Sequence, residues 1–144
     1  MISNKRQYSN TQKQLEKFNS VLDDLKNNVE TAQDLNQQIR HQVHLDAVNS
    51  QIESLEEEIS EYEQLKSGEV QKLYFDSFSQ LSEALIKARI VRGLTQEQLA
   101  NRLGLKTQQV QRYESTNYVA ASLERISKVI EALNIEIKEE IIFK

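Results

Sequence analysis

The sequence predicts a mainly α-helical chain. An N-terminal α-helical hairpin or coiled coil is followed by a compact helical domain, in which two short helices flank a tight turn, and by a short C-terminal β-strand. Three observations lead there. The 144 residues include no Pro and only three Gly (Gly68, Gly93 and Gly104), so helix breakers are scarce and each Gly marks a boundary. Apolar residues in the first half recur at alternating gaps of three and four. In the second half, 94–114 reads as two amphipathic helices that pivot at Gly104. The division that follows is 1–68 as a helical interaction region, 69–76 as a strand or linker, 77–134 as the compact helical domain and 135–144 as the strand.

In the first region, Leu15, Phe18, Leu22, Leu25 and Val29 are spaced 3-4-3-4. Leu45, Val48, Ile52, Leu55, Ile59, Tyr62 and Leu65 are spaced 3-4-3-4-3-3. Both series fit the two-position seam of a heptad repeat, a narrow apolar stripe on an otherwise polar helix. The second helix, roughly 43–66, would be about 35 Å long at 1.5 Å per residue. Between the two series the pattern slips. The polar run 30–34 interrupts it, and Leu35, Ile39 and Val43 follow at 4-4 spacing, out of phase with both stripes. A bend here would fold the helices back as an antiparallel hairpin. One continuous helix with a phase shift is the competing reading, since no Pro or Gly enforces a break.

Gly68 sits where a left-handed residue closes a helix. Residues 70–75 are short, apolar and aromatic, and read as a strand or an extended linker. A helix is expected to start near Ser77 or Ser79, either of which can cap it, and to run through Leu81, Leu85, Ala88 and Ile90 to Gly93. Residues 135–143 begin with strict alternation and finish apolar, which predicts a strand. A lone strand leaves its backbone groups unsatisfied. It needs a partner: 70–75 of the same chain, or its equivalent in a second copy.

Composition removes several classes of function. Without cysteine there is neither a disulfide framework nor a thiolate metal site. No apolar run reaches membrane-spanning length and no signal-peptide core follows Met1, so a cytoplasmic protein is expected. No Gly-rich phosphate loop or Ser-centred elbow is present, and Asp23-Asp24 does not suggest acid/base work, so no catalysis and no cofactor are expected. His41 and His44 lie three apart with Asp46 nearby, but lack a clear third ligand, and no metal is assigned. Glu56-Glu57-Glu58 reads as a solvated face.

The net charge of −4 hides an asymmetry. Residues 1–70 hold 7 Lys and Arg against 13 Asp and Glu, whereas 80–130 hold 8 against 4. The acidic balance therefore does not argue against a polyanionic partner, because positive charge is concentrated in the compact domain.

That domain carries the side chains that bear on function. Thr95 can cap a helix while Gln98 reaches back to it. Leu99, Ala100 and Leu103 give that helix a buried face, and Gly104 permits a sharp turn through a positive φ. Val110 and Tyr113 would anchor the next helix, leaving Thr107, Gln108, Gln111 and Arg112 pointing outward. Gln pairs bidentately with adenine N6/N7 and Arg with guanine O6/N7, so this helix bears what the DNA major groove requires. An ordinary solvated helix face is the plain alternative for the same residues.

These residues carry a resemblance. Ala88-Arg89, the run from Gly93 to Ala100, then Leu103-Gly104, Val110, Tyr113-Glu114, Leu123, Ile126 and Ala132-Leu133 resemble the lambda-repressor-like helix-turn-helix domain of the Cro/repressor (XRE) family of bacterial and phage regulators. The resemblance covers about a third of the chain. It implies that Thr107, Gln108 and Arg112 face bases and that Gln96, at a helix N-terminus, contacts phosphate. It also implies that Arg89 and Glu114 form a structural ion pair. Lys106, Gln109, Gln111, Arg92 and Asn117 are further candidates for DNA contact. After Glu114 the family usually turns at a Gly; here Ser115-Thr-Asn-Tyr-Val119 has none, so Asn117 is expected to take the left-handed conformation.

The expected function is a homodimeric regulator, a repressor that reads an inverted repeat in double-stranded operator DNA. The combination also resembles antitoxins of toxin–antitoxin operons, in which case 1–68 would be the toxin-binding arm. The alternative is a protein-interaction scaffold in which the helix-turn-helix only packs.

Overall fold

The computed structural model describes residues 1–28 and 34–144. Among them the helices are α1 (Lys5–Asn27), α2 (Leu35–Lys66), α3 (Leu81–Val91), α4 (Gln96–Leu103), α5 (Thr107–Ser115) and α6 (Leu123–Leu133), with a 3-10 turn at Phe78–Gln80. They divide into two compact units, Met1–Glu63 and Gln64–Lys144.

The first unit is an antiparallel helical hairpin. Asn4 caps α1, its Oδ1 accepting the Gln7 N–H at 3.0 Å. Along α1 the sheltered positions are Tyr8, Thr11, Leu15, Phe18, Leu22 and Leu25, and most of the helix between them is exposed. The stripe thus begins two members earlier than the apolar pattern suggests, with Tyr8 and Thr11 in seam positions. On α2 the seam runs through His41, Leu45, Val48, Ile52, Leu55, Ile59 and Tyr62. The antiparallel pairing is visible at one end, where the Tyr8 and Tyr62 rings lie 5.2 Å apart and the Tyr8 hydroxyl donates to Glu63. That carboxylate holds the Tyr8 phenol above its ordinary pKa.

Helix α2 starts eight residues before the expected Val43. Asp34 Oδ1 accepts the Gln37 N–H at 2.7 Å and so supplies a cap that the apolar pattern does not register. Leu35, Ile39 and Val43 are helical but out of phase with the seam, and stand 70%, 52% and 62% exposed. Val29 and most of the bend expected at 30–34 lie outside the described residues.

In the second unit, α4 packs on α5 and α6, while α3 packs on α6 and the 3-10 turn. Leu85, Ile86, Leu99, Ala100, Val110, Val129 and Leu133 are 0–1% exposed and form the core. Each fully buried Val, Leu or Ile side chain contributes about 1.5–3 kcal/mol of transfer free energy, and six of these seven positions are of that kind. Two arginines close the end of α6: Arg102 Nη1 donates to the Ala132 carbonyl at 2.9 Å and Arg92 donates to that of Asn134. They satisfy carbonyls that a helix C-terminus leaves free.

Two expectations need correction. The serines do not cap α3: a 3-10 turn intervenes, Ser77 and Ser79 hydrogen-bond each other at 2.7 Å, and α3 begins at Leu81. The C-terminal strand at 135–144 is not formed, and no strand occurs among the described residues. The physical reason is the lack of a partner, because 70–75 is not a strand either and a single chain offers 135–143 no ladder to join.

Candidate nucleic-acid interface

Helix α4 begins as its sequence demands. Thr95 Oγ1 accepts the Gln98 N–H at 3.1 Å, and Gln98 Oε1 accepts the Thr95 N–H at 2.8 Å, a reciprocal capping box. It ends at Gly104, whose φ of 66° lies in the left-handed region, and the Gly104 and Leu105 amides return to Asn101 and Ala100 carbonyls. Three residues after Gly104 α5 starts, with Gln109 Oε1 accepting the Lys106 N–H at 3.0 Å.

Helix α5 is divided lengthwise. Val110 and Glu114 are buried and Tyr113 is half-buried, so one side faces the domain. At about 100° per residue, Gln111, Ser115, Gln108 and Arg112 follow one another around the opposite side. All four are exposed. Thr107, at the first helical position, is half-buried, and Lys106 just before it is exposed. Gln108, Gln111 and Arg112 thus share the outer side of one short helix, with Thr107 at its first turn and Lys106 just before it. Gln109 belongs to the same turn, but its carbonyl oxygen is occupied by the cap.

What holds that helix in place is a buried ion pair. Arg89 Nε donates to Glu114 Oε1 at 2.6 Å and Arg89 Nη2 to Oε2 at 2.8 Å, and the two side chains are 3% and 2% exposed. Arg89 Nη1 donates to the Leu94 carbonyl at 2.8 Å. Gln96 Nε2 donates to Glu114 Oε2 at 2.8 Å. One carboxylate thus gathers α3, the start of α4 and the end of α5. Gln96 remains at the α4 N-terminus with its amide nitrogen directed inward to this network.

Beyond α5 the chain turns without glycine. Asn117 takes the expected left-handed conformation (φ 49°), and so does Tyr118 (φ 55°). Tyr118 is 4% exposed and its ring stacks on Tyr113 at 5.8 Å, with 7° between the planes. Burial pushes its phenol pKa well above the ordinary value. Sequence reasoning did not find Tyr118. The signal was the aromatic pair at 113 and 118, five apart on either side of the turn.

Of the other candidates, Asn117 is exposed at this turn, whereas Arg92 is engaged at the end of α6. His41 lies in the α2 seam and His44 is exposed, so the two do not share a face. Among the described residues no group of three or more His, Asp or Glu side chains is placed to hold a metal ion, and no helix is long and apolar enough to cross a membrane.

The arrangement can place amide, hydroxyl, guanidinium and ammonium groups together against a polyanion with readable edges. Comparison with known proteins agrees in kind: residues 85–139 match a family model described as helix-turn-helix. No curated protein and no solved structure matches the chain.

Proposed function

Residues 85–139 belong to the Cro/repressor (XRE) type of helix-turn-helix domain found in DNA-binding transcription regulators, and from that premise we propose that this chain is a sequence-specific repressor acting in the cytoplasm as a homodimer. The observation that carries the proposal is the division of α5: Gln108, Gln111 and Arg112 face outward while Val110 and Glu114 are buried beneath them. On this reading α5 enters the major groove, Gln108 and Arg112 pair with bases, and Thr107 and Gln111 flank them. Lys106 and Gln109 lie at the groove edge, where Lys106 supplies a phosphate contact. Gln96 acts through its place at the α4 N-terminus, where helix amides favour an anion.

A helix of this length reads only a few base pairs. Two of them related by a two-fold axis read an inverted repeat with half-sites one helical turn, about 34 Å, apart. Selection of binding sites from randomised DNA duplexes tests this. The wild-type chain is expected to enrich an inverted repeat, and Gln108→Ala or Arg112→Ala to lose preference at particular positions, by about 1–3 kcal/mol each. An unchanged sequence preference in both variants would refute base reading by α5.

The hairpin suggests a second partner. It is a compact unit of its own within an acidic stretch, and it bears Leu35, Ile39 and Val43 exposed along one side. We propose that 1–68 is the arm that binds a toxin or other protein, which would make the chain an antitoxin that represses its own operon. Co-purification with the adjacent gene product, lost on Ile39→Asp, is the expected result. A scaffold that binds such a partner without reading DNA is the alternative, and the selection experiment separates the two.

A further inference from the structure

The acidic balance of the hairpin conceals a division between its two helices. Residues 1–22 hold four Lys and Arg against one carboxylate, Glu16, whereas 41–65 hold seven carboxylates and no Lys or Arg. The first stretch supplies most of α1 and the second most of α2.

On α1 three of the cations share a face. At about 100° per residue, Arg6, Lys13 and Lys17 fall within roughly 40° of one another, and Ser9, Asn10 and Ser20 flank them. All six are exposed. This face lies opposite the seam of Tyr8, Thr11, Leu15 and Phe18, so it points away from α2. Among the described residues the side chains of Arg6, Lys13 and Lys17 have no hydrogen bond and no ion pair. The result is a row of cations with no carboxylate to neutralise it, and with hydroxyl and amide donors beside it. From Arg6 to Lys17 it runs about 16 Å at 1.5 Å per residue, long enough to meet several phosphates of a DNA strand, which follow one another every ~3.4 Å along the axis.

The carboxylates of α2 do not cancel this field. Asp46, Glu53 and Glu57 are exposed and lie opposite the α2 seam. Two helices about 8–10 Å apart, each about 10–12 Å across, hold their opposite outer faces roughly 20 Å apart. Exposed charges are largely screened beyond a Debye length of about 8 Å at physiological salt. The row therefore meets a ligand as a cationic surface even though its unit is net acidic. A duplex held by α5 supplies the matching polyanion at high local concentration. The eleven residues 67–77 between α2 and the 3-10 turn can span about 35 Å, so the hairpin has the reach to meet it.

We propose that the outer face of α1, through Arg6, Lys13 and Lys17, is a second DNA contact that grips phosphates without reading bases; the proposal rests on the DNA-binding reading above and is independent of which bases α5 selects.

The test is binding of the full chain, across a salt series, to a duplex carrying its selected site and to an arbitrary duplex of equal length. Each phosphate contact contributes about 0.9 to the slope of log K against log salt. Lys13→Gln with Lys17→Gln is expected to reduce that slope by about 2 per chain on both duplexes. Affinity should fall roughly 10- to 100-fold at about 0.1 M salt, with the selected sequence unchanged. Lys26→Gln with Arg40→Gln removes the same net charge from the same unit but off this face, and should leave the slope nearly as in wild type. Circular dichroism checks that both variants keep wild-type helicity. A Lys13→Gln, Lys17→Gln chain with the wild-type slope would overturn the contact. So would an equal loss in both double variants, which would mean that net charge and not a site is at work. In either case an enriched inverted repeat would leave base reading by α5 standing. Failure to enrich any site would sink base reading alone, because the arbitrary duplex still reports the α1 row. A wild-type chain that binds neither duplex would overturn both.

Discussion

Arg89 and Glu114 meet through two parallel hydrogen bonds, 2.6 and 2.8 Å, across 25 residues of sequence and almost wholly out of solvent. A bidentate guanidinium–carboxylate contact fixes angle as well as distance. Because Glu114 belongs to the last turn of α5 and Arg89 to α3, the pair sets the direction in which α5 projects from the domain. The Gln96 amide on the same carboxylate adds the start of α4 to that constraint.

Removing one partner leaves the other charge buried and unpaired, which costs about 3–5 kcal/mol. Glu114→Ala and Arg89→Ala are therefore each expected to lower the stability of the second unit by roughly that amount in urea denaturation. Replacing both, as in Arg89→Met with Glu114→Leu, should cost much less than the two single changes summed. A double-mutant cycle reads this directly, and simple additivity would mean that the pair does not act as a unit.

Tyr118 gives the stability a pH dependence. Burial raises its phenol pKa in the folded state above the ordinary value of 10.0, so the folded chain keeps the proton that the unfolded chain releases. A raised folded pKa means the contribution is fully present below the unfolded value and is lost as pH climbs past it. Stability should hold through neutral pH and decline from about pH 10 upward. Tyr118→Phe removes the ionisable group and is expected to flatten that alkaline decline, measured as Tm against pH beside wild type. A separate substitution probes the backbone: Asn117→Gly at φ 49° should stabilise the chain by up to about 1 kcal/mol, and Asn117→Val should destabilise it by about 1–2 kcal/mol.

The helical half of this architecture was legible because its signals are local. The Thr95–Gln98 capping box and the left-handed Gly104 depend on residues within one turn of chain, and the heptad stripes are pure periodicity. The Arg89–Glu114 pair was legible only through resemblance, since nothing in either neighbourhood points to a contact 25 residues away. Arg92, read from the sequence as a candidate for DNA contact, and Arg102 conceal their partners for the same reason: these are carbonyls at the C-terminal end of α6, 42 and 30 residues away. The strand at 135–143 was misjudged in the opposite direction. Its alternation is genuine, but a strand is a property of a pair, and periodicity cannot supply the second member.

His41 marks a weak point in the hairpin. It occupies a seam position four residues before Leu45, and its Nε2 is buried with no hydrogen-bond partner among the described residues. A buried polar atom left unpaired costs about 1–3 kcal/mol, and a leucine in the seam would add apolar burial instead. His41→Leu is expected to raise the stability of the full chain by about 1 kcal/mol or more in chemical denaturation. An unchanged or lowered midpoint would mean that the imidazole is satisfied in solution. His44→Leu serves as control, because that side chain is already exposed and should shift the midpoint little.

Arg112 and Lys106 should fail in different ways if α5 reads the major groove. Arginine presents a planar fork that matches guanine O6 and N7, whereas lysine is a point charge on a flexible stem. Arg112→Lys keeps the charge, so the dependence of affinity on salt should be nearly unchanged while discrimination against a substituted base pair falls by about 1–3 kcal/mol. Lys106 precedes the first turn of α5 and is exposed, a position suited to phosphate. Lys106→Ala should weaken binding to all sequences alike and reduce the slope of log K against log salt by about 1 per subunit. Titrations of cognate and mismatched duplexes at several salt concentrations separate the two effects. If Arg112→Lys changed the salt slope and left discrimination intact, Arg112 would be a backbone contact, and the reading face would shift toward Gln108 and Gln111.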